Sequence, residues 1–355
     1  MGMLMMNLVL INITPVNAAA KKESSSPCAA ALTHDFYSQS CPKLHNIVRT
    51  VVKKAVARDP RMAASLLRLE FHDCFVNGCD GSVLLDNTAN FTGEKSAAPN
   101  KGSLRGFHVI DEIKEWLERE CPQTVSCADI LAIAARDSVV EAGGPRWRVV
   151  FGRRDSLTAN MTLADEDLPS ALYSGSQLVS NFESKGFNLR QMVALSGGHT
   201  IGFARCVPIA PSIYGRVTDD HSMNPAYLTF LEKACPNASA STLIPLDDDT
   251  PAKFDSSYYT NLLGGNGALH SDRDIVDSAG TALDHVQHFA KDQDSFFDEF
   301  AKAMVVMSNI QPLTGSQGEI RTNCRFVNPP SSASKAAKVS SSLGRKLPLV
   351  QTSAP

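Results

Sequence analysis

Residues 68–82 read RLEFHDCFVNGCDGS. Arg68 and His72 stand four apart, so on an α-helix they share one face, about 40° apart around the axis. Leu66, Leu67 and Phe71 recur at helical spacing, and Gly78 and Gly81 then interrupt it. The stretch therefore predicts a helix that runs into a loop. A permanently charged guanidinium beside a titratable imidazole suits a polar, anionic or peroxidic substrate. Taken alone, such a pair is also what a solvated helix face looks like. In the loop, Asp73, Asp80 and Ser82 space hard oxygen groups between glycines. That composition suits Ca²⁺, which takes about six to eight oxygen ligands, carbonyls included; the spacing is not that of an EF-hand. Cys74 and Cys79 allow two readings. With His72 and Asp73 they could ligate zinc or carry redox chemistry, or they could close the loop as a disulfide. No CxxC and no second Cys/His cluster occurs in the chain, which favours the disulfide.

Outward from this stretch the pattern stays helical. Ile47, Val51, Val52, Ala55 and Val56 recur at helical spacing, as do Val109, Ile110, Ile113, Trp116 and Leu117. Periodic stretches follow at 127–140, 175–185, 188–197, 224–233, 256–263 and 293–308. Gly143, Gly144 and Pro145 break one helix, and Gly186 ends another as a C-cap. Strand patterns are scarce, and WRVVF at 147–151 is the best candidate. The predicted fold class is all-α with minor short β.

The 355 residues are enough for a sizeable core in one large domain or two lobes. A formal net charge of −3 and no dense Lys/Arg run argue against a nucleic-acid partner. Nine cysteines spread over the chain point to an oxidising compartment. At the amino end, MLMMNLVLI at 3–11 followed by Ala18, Ala19 and Ala20 reads as a signal peptide over 1–20, its end extending as far as about residue 29, although positive charge near the start is lacking. The run is too short to span a membrane, and no later segment approaches the roughly 18 apolar residues required. Sequons at Asn90, Asn160 and Asn237 fit a secreted chain. Residues 329–355 are rich in Ser, Ala and Pro, hold no acidic residue, and lack apolar periodicity until LPLV. Such a segment buries too little surface to offset its ordering entropy and is expected to be a disordered extension.

A second dense stretch, ALSGGHTIGFARC, spans 194–206. His199 follows a Gly pair, which permits close approach of a planar group to the backbone. Together with residues 68–82, and with YSQSCP at 37–42, GFHVID at 106–111, VSCADILA at 125–132, GRRDS at 152–156 and NCRF at 323–326, this stretch closely resembles the motifs of the secretory plant (class III) haem peroxidases. The resemblance runs from about Phe36 to Asn328. It implies a peroxidase domain over 30–328, with a distal lobe at about 31–170 and a proximal lobe at about 171–328 sandwiching one non-covalent haem b; no CxxCH attachment motif occurs.

The roles it implies are as follows. His199 is the axial ligand of the iron, and Asp272, in LHSD, accepts its other ring N–H. His72 is the distal base that takes a proton from one peroxide oxygen and returns it to the other. Asn100, in EKSAAPN, orients His72, and Glu94 is the acid linked to that network. Arg68 stabilises charge developing on the breaking O–O bond. Phe71 walls the iron from larger reductants, and donors approach the exposed haem edge near the carbonyl of Pro169. Two calcium ions are implied. The distal one maps to Asp73, Val76, Gly78, Asp80 and Ser82; the proximal one maps to Thr200, Asp247, Thr250, Lys253 and Asp255, with the Lys253 ammonium pointing outward. Implied disulfides are Cys41–Cys121, Cys74–Cys79, Cys127–Cys324 and Cys206–Cys235, with Cys28 removed with the leader. Near Pro169 the run LPSAL, and Val207 and Pro208 after Cys206, lack the aromatics that some members use to stack phenols.

The expected protein is thus a monomeric enzyme that reduces H₂O₂ to water and oxidises two phenolic donor molecules by one electron each. Lignification, cell-wall cross-linking and oxidative stress response are its implied settings. The expected location is extracellular, with the vacuole as the alternative because the basic tail with LPLV is similar to vacuolar propeptides.

Overall fold

The computed structural model describes residues 31–215, 223–278 and 280–330. The predicted leader, Cys28 and nearly all of the 329–355 extension lie outside the described residues.

Local chemistry sets the first four helices. In α1 (Leu44–Arg58) a stripe of Leu44, Val48, Val51 and Val52 is buried, and α3 (Phe107–Glu120) buries one face likewise, whereas α2 (Met62–Cys74) is covered on all sides. α4 (Cys127–Glu141) starts at Ser126, whose hydroxyl accepts the Asp129 amide, and is buried from Cys127 to Val139. Its small residues let α1, α2 and α3 pack closely round it. After α5 (Met161–Asp167), both α6 (Gly175–Ser184) and α7 (Leu189–Ser196) open with capping boxes, Ser174 with Gln177 and Asn188 with Gln191. Gly186 closes α6 at φ 90°, with the Phe187 amide donating back to the Phe182 carbonyl at 3.1 Å. Then follow α8 (Cys206–Ile213), α9 (Pro225–Ala234), α10 (Ser257–Leu263), α11 (His270–Ser278), α12 (Ala282–Lys291) and α13 (Gln293–Met307). α7 packs on α13, α10 on α12, and α11 on α6. One apolar core runs through the helices, from Tyr37 to Cys324, and a smaller one surrounds Cys206 and Cys235. No helix among the described residues is long and apolar enough to cross a membrane.

The strand expected at 147–151 does not form. Trp147, Val149 and Phe151 alternate inward as a strand's would, but the segment finds no partner strand. Arg136, His34 and Arg153 side chains bond its carbonyls at Trp147, Val149 and Val150, and only Phe151 makes a bridge, to Thr33. Two three-residue strands instead pair antiparallel, β1 (Phe203–Arg205) with β2 (Leu243–Pro245).

Four disulfides close, and they are the pairs that the resemblance implies: Cys41–Cys121, Cys74–Cys79, Cys127–Cys324 and Cys206–Cys235. The Cys74–Cys79 bridge removes both sulfurs from any zinc site. Several quoted motifs prove to be structural. Asp129 of VSCADILA accepts from the Tyr37 hydroxyl at 2.8 Å, the Gly152 amide at 2.8 Å and the Arg153 guanidinium at 2.7 Å, all buried. Asp155 of GRRDS accepts the Ala128 and Arg321 amides at 2.9 Å. YSQSCP, VSCADILA, GRRDS and the NCRF strap thus meet in one buried polar hub.

Candidate active site

α2 carries Arg68 and His72 on one face, as the four-residue spacing predicts. His72 Nδ1 lies 2.5 Å from Asn100 Oδ1, and the Arg68 Nε–H donates to His72 Nε2 at 3.0 Å. An amide oxygen can only accept and a guanidinium can only donate, so the two bonds fix one tautomer: Nδ1 carries the proton and the lone pair of Nε2 accepts the Arg68 bond. Burial and the Arg68 charge hold the imidazole well below its usual value, against the opposing pull of Asn100. Asn100 is itself anchored, its Nδ2 donating to a Glu94 oxygen at 2.8 Å. That oxygen is the main-chain carbonyl. Glu94 is therefore linked to the network through its backbone rather than through its acid, which points away and accepts the Asn160 amide at 3.3 Å.

Arg68 is bonded only to neutral groups: His72, the Pro99 carbonyl at 2.9 Å and the Ser103 hydroxyl at 3.2 Å. No carboxylate among the described residues pairs with it, and burial pulls the guanidinium down to about 10. A desolvated cation without a counter-ion is a strong anion receptor. Phe71 is half-buried beside His72, its ring meeting the imidazole edge-on at 5.1 Å.

The second stretch approaches from the other side. α7 ends at Ser196, and Gly197–Thr200 form a 3-10 turn that carries His199. A Cβ on Gly198 would sit 3.5 Å from Leu67 of α2, so this turn and the Arg68–His72 helix face each other across little space. The Gly197 position departs from the expectation of a planar group against the Gly pair. The ring of Phe296 and the hydroxyl of Tyr259 occupy the room a side chain there would need. His199 Nδ1 bonds both Asp272 oxygens, at 2.9 and 3.1 Å. Burial pulls the imidazole down, but the Asp272 charge and hydrogen bond outweigh it and the net shift is upward. Its side chain nonetheless keeps 40% of its surface open, and Nε2 makes no hydrogen bond among the described residues. An imidazole oriented through one nitrogen, with the other unbonded among the described residues, fits a metal ligand. Asp272 lies in the first turn of α11, where the helix N-terminus favours a carboxylate.

The family model described as Peroxidase matches residues 48–292. Peroxidase P7 of Brassica rapa subsp. rapa is 50% identical over 84% of this chain and its own whole length. Peroxidase 70 of Zea mays is 49% identical over 86% of this chain and 94% of its own, and Peroxidase RIP1 of Medicago truncatula 48% over 90% and 97%.

The chain belongs to the peroxidase family.

The helical architecture is the plant peroxidase fold, and a peroxidase implies haem. Two oxygen-rich loops flank this peroxidase's α2 and its His199 turn. In the first, Asp73 accepts the Gly81 amide at 2.9 Å and the Val83 amide at 3.3 Å, while Asp80 accepts the Ser82 amide at 3.0 Å. Val76 and Gly78 are buried in the same loop, and Gly78 lies so close to the Gln311 carbonyl that a Cβ would come within 2.6 Å. Ser82 Oγ and Glu94 Oε2 are buried with no hydrogen-bond partner among the described residues. Burial pushes the Asp80 carboxyl to about 6 and Glu94 to about 8; it lifts Asp73 well above its usual value, with help from the Asp80 charge. Crowded, under-bonded oxygens of this kind fit a divalent cation.

In the second loop, the Thr200 hydroxyl lies 2.9 Å from Asp247 and 3.4 Å from Asp255, and the Thr250 hydroxyl 3.0 Å from Asp255. Asn261 donates to the other Asp247 oxygen at 2.9 Å. Lys253 departs from an expectation: its side chain is exposed, yet its ammonium turns back onto Asp255 at 3.0 Å. Among the described residues no three His, Cys, Asp or Glu groups gather as a metal cluster. Each loop therefore offers a mixed set of carboxylate, hydroxyl and carbonyl oxygens.

Pro169 is half-buried just after α5, and the Ser271 amide donates to the Ala171 carbonyl at 3.0 Å, tying that segment to α11 beside Asp272. Leu172 and Val207 are exposed. Tyr258 and Ser103 had no sequence signal beyond an aromatic pair and a lone serine, yet both bond site residues directly.

Proposed function

We propose that the chain is a secreted haem b peroxidase that reduces hydrogen peroxide to water and oxidises two phenolic donors by one electron each. The observation that carries this reading is the single tautomer imposed on His72 by Asn100 and Arg68, on a helix facing a carboxylate-oriented His199. His199 would hold the iron through Nε2, while Asp272 holds the Nδ1 proton and gives the imidazole anionic character. Bound there, haem supplies the redox chemistry, taking two oxidising equivalents from peroxide and passing them on singly.

The residues of the chain do the rest. His72 Nε2 takes the proton of one peroxide oxygen, the peroxide O–H standing where the Arg68 N–H now does. The same nitrogen returns the proton to the far oxygen, which leaves as water. Arg68, desolvated and without a counter-ion, stabilises the negative charge that grows as the O–O bond lengthens. Phe71 narrows access on the His72 side, so donors meet the cleft from the edge near Pro169. Small phenols fit such an edge; the exposed aliphatic Leu172 and Val207 offer them apolar contact without aromatic stacking.

Two calcium ions complete the reading. One is held by Asp73, Asp80, Ser82 and the carbonyls of Val76 and Gly78, the other by Thr200, Asp247, Thr250, Asp255 and the Lys253 carbonyl. Chelation with EDTA should lower the thermal midpoint, since a ligand at a hundredfold over its Kd contributes about 2.7 kcal/mol. A midpoint that ignores chelator and added Ca²⁺ alike would remove both sites. The lobes divide near residue 170, the protein acts as a monomer outside the cell, and 329–355 are either trimmed or address it to the vacuole. Fractionating cells that express the chain with and without 329–355 decides between the two destinations.

The deciding experiment is spectroscopic and kinetic together. A purified chain should show a Soret band and oxidise guaiacol with H₂O₂. A haem-loaded protein with no such turnover sinks the assignment.

A further inference from the structure

Two tyrosines stand side by side on α10, and both are buried. A buried tyrosine needs a partner for its hydroxyl, and these two find different ones. Tyr259 donates to the Val193 carbonyl at 3.0 Å, a structural tie between α10 and α7. Tyr258 donates to Asp272 Oδ1 at 3.0 Å, the same oxygen that His199 Nδ1 approaches at 2.9 Å. The Tyr258 ring also meets the His199 ring edge-on at 6.2 Å.

We propose that Tyr258 is a positioning residue of the proximal site that sets how strongly Asp272 draws on the His199 proton. The inference rests on the peroxidase reading above. A carboxylate oxygen shared between two donors gives less of its charge to each. In a desolvated pocket the competition is strong, because neither donor can turn to water. The phenol O–H thus holds back the anionic character that Asp272 confers on the imidazole, and with it the electron density reaching whatever His199 Nε2 binds. No proton need leave the phenol.

The test uses the haem-loaded protein and Tyr258→Phe, which keeps the ring and removes only the hydroxyl. With the competing donor gone, Asp272 should draw more on Nδ1–H. The Fe(III)/Fe(II) midpoint should shift to lower potential, and the iron–histidine stretch of the ferrous form should rise in frequency. Incorporating 3-fluorotyrosine at position 258 makes the phenol a stronger donor in the same space, and both readouts should move the opposite way. A purely structural Tyr258 would change thermal stability and leave both spectroscopic quantities at their wild-type values. That outcome, in a haem-loaded and active wild type, overturns this inference and leaves the peroxidase reading standing. Equal shifts of one sign in both variants overturn it as well. A wild-type chain that takes up no haem overturns the two together.

Discussion

At the scale of single residues, His72 is held in one protonation pattern, since each ring nitrogen has one possible bonding role. Replacing it with Ala removes the group that carries the proton but leaves His199 and Asp272 untouched. The reaction with peroxide should slow by about 10²- to 10⁴-fold, the usual contribution of a general base, with haem still bound. Stopped-flow rates beside the Soret band check both halves. Loss of haem in His72→Ala would mean that the two faces had been assigned the wrong way round. The base must be neutral to work, and burial and Arg68 hold its pKa well below 6.5. The rate constant for peroxide should therefore stay flat as pH falls through 6.5 and drop only on the acid side of it. An inflexion at or above 6.5 would contradict that environment. Arg68 and His72 were legible together because their relation is helical and local. The partners Asn100, Pro99 and Ser103 sit about thirty residues away, and their place follows from packing.

At the scale of elements, the contact between α2 and the end of α13 shows what periodicity leaves unsaid. Glu70 follows Arg68 and Leu69 in a helix whose other face carries the chemistry, and it is buried. Its one hydrogen bond comes from Ser308, at the C-cap of α13, at 2.6 Å; its second oxygen has no partner among the described residues. Arg153, whose charge acts on Glu70, is already committed to Asp129 and to the Val150 and Ser308 carbonyls. Burial raises the carboxyl from 4.5 to about 7. Folded Glu70 keeps its proton to higher pH than the unfolded chain does. Its contribution is therefore fully present below 4.5 and is lost as pH rises through about 7. At about 1.4 kcal/mol per unit, the loss is at most roughly 3–4 kcal/mol. Glu70→Gln should remove that slope from a plot of denaturation midpoint against pH, and an unchanged slope would place the titration elsewhere. Helices fared unevenly at this scale. α1, α2, α3, α4, α6, α7, α9, α10 and α13 follow the apolar spacing, whereas α5, α8, α11 and α12 were not foreseen. α11 has the polar sequence HSDRDIVDS and α8 contains Pro211, so neither shows a plain amphipathic stripe. Tertiary contacts stabilise them instead.

At the scale of the whole molecule, the chain is closed on itself. Cys127, the first residue of α4, bridges to Cys324 across 197 residues, and Arg321 beside it reaches back to the Gly81 and Cys324 carbonyls. A cross-link spanning so long a loop restricts the unfolded chain strongly, by about 5 kcal/mol on the entropic account. The double variant Cys127→Ala with Cys324→Ala should lose stability of that order in denaturant titrations while the Soret band of the folded fraction keeps its position. A loss below about 1 kcal/mol would show that the buried polar hub of Asp129, Asp155 and Arg321 holds the end of the chain without the bridge.

The sequence by itself determined the family, the helical class, and the two stretches on which the site is built, because residues four apart on a helix, or adjacent in a turn, are related by local geometry alone. It also determined the chemistry on offer: a guanidinium and an imidazole in one stretch, a second imidazole in the other, and oxygen-rich loops beside each. Tertiary structure decided which distant groups complete them. Asp272 reaches His199 across 73 residues, Asn100 reaches His72 across 28, and Tyr258 arrives at the same carboxylate from a different helix. It also decided the departures: the unpaired WRVVF segment, the Glu94 carbonyl in place of its acid, and the Lys253 ammonium on Asp255. Each is settled by which polar group stands nearest once the apolar core has closed, and apolar spacing along a chain carries no record of that.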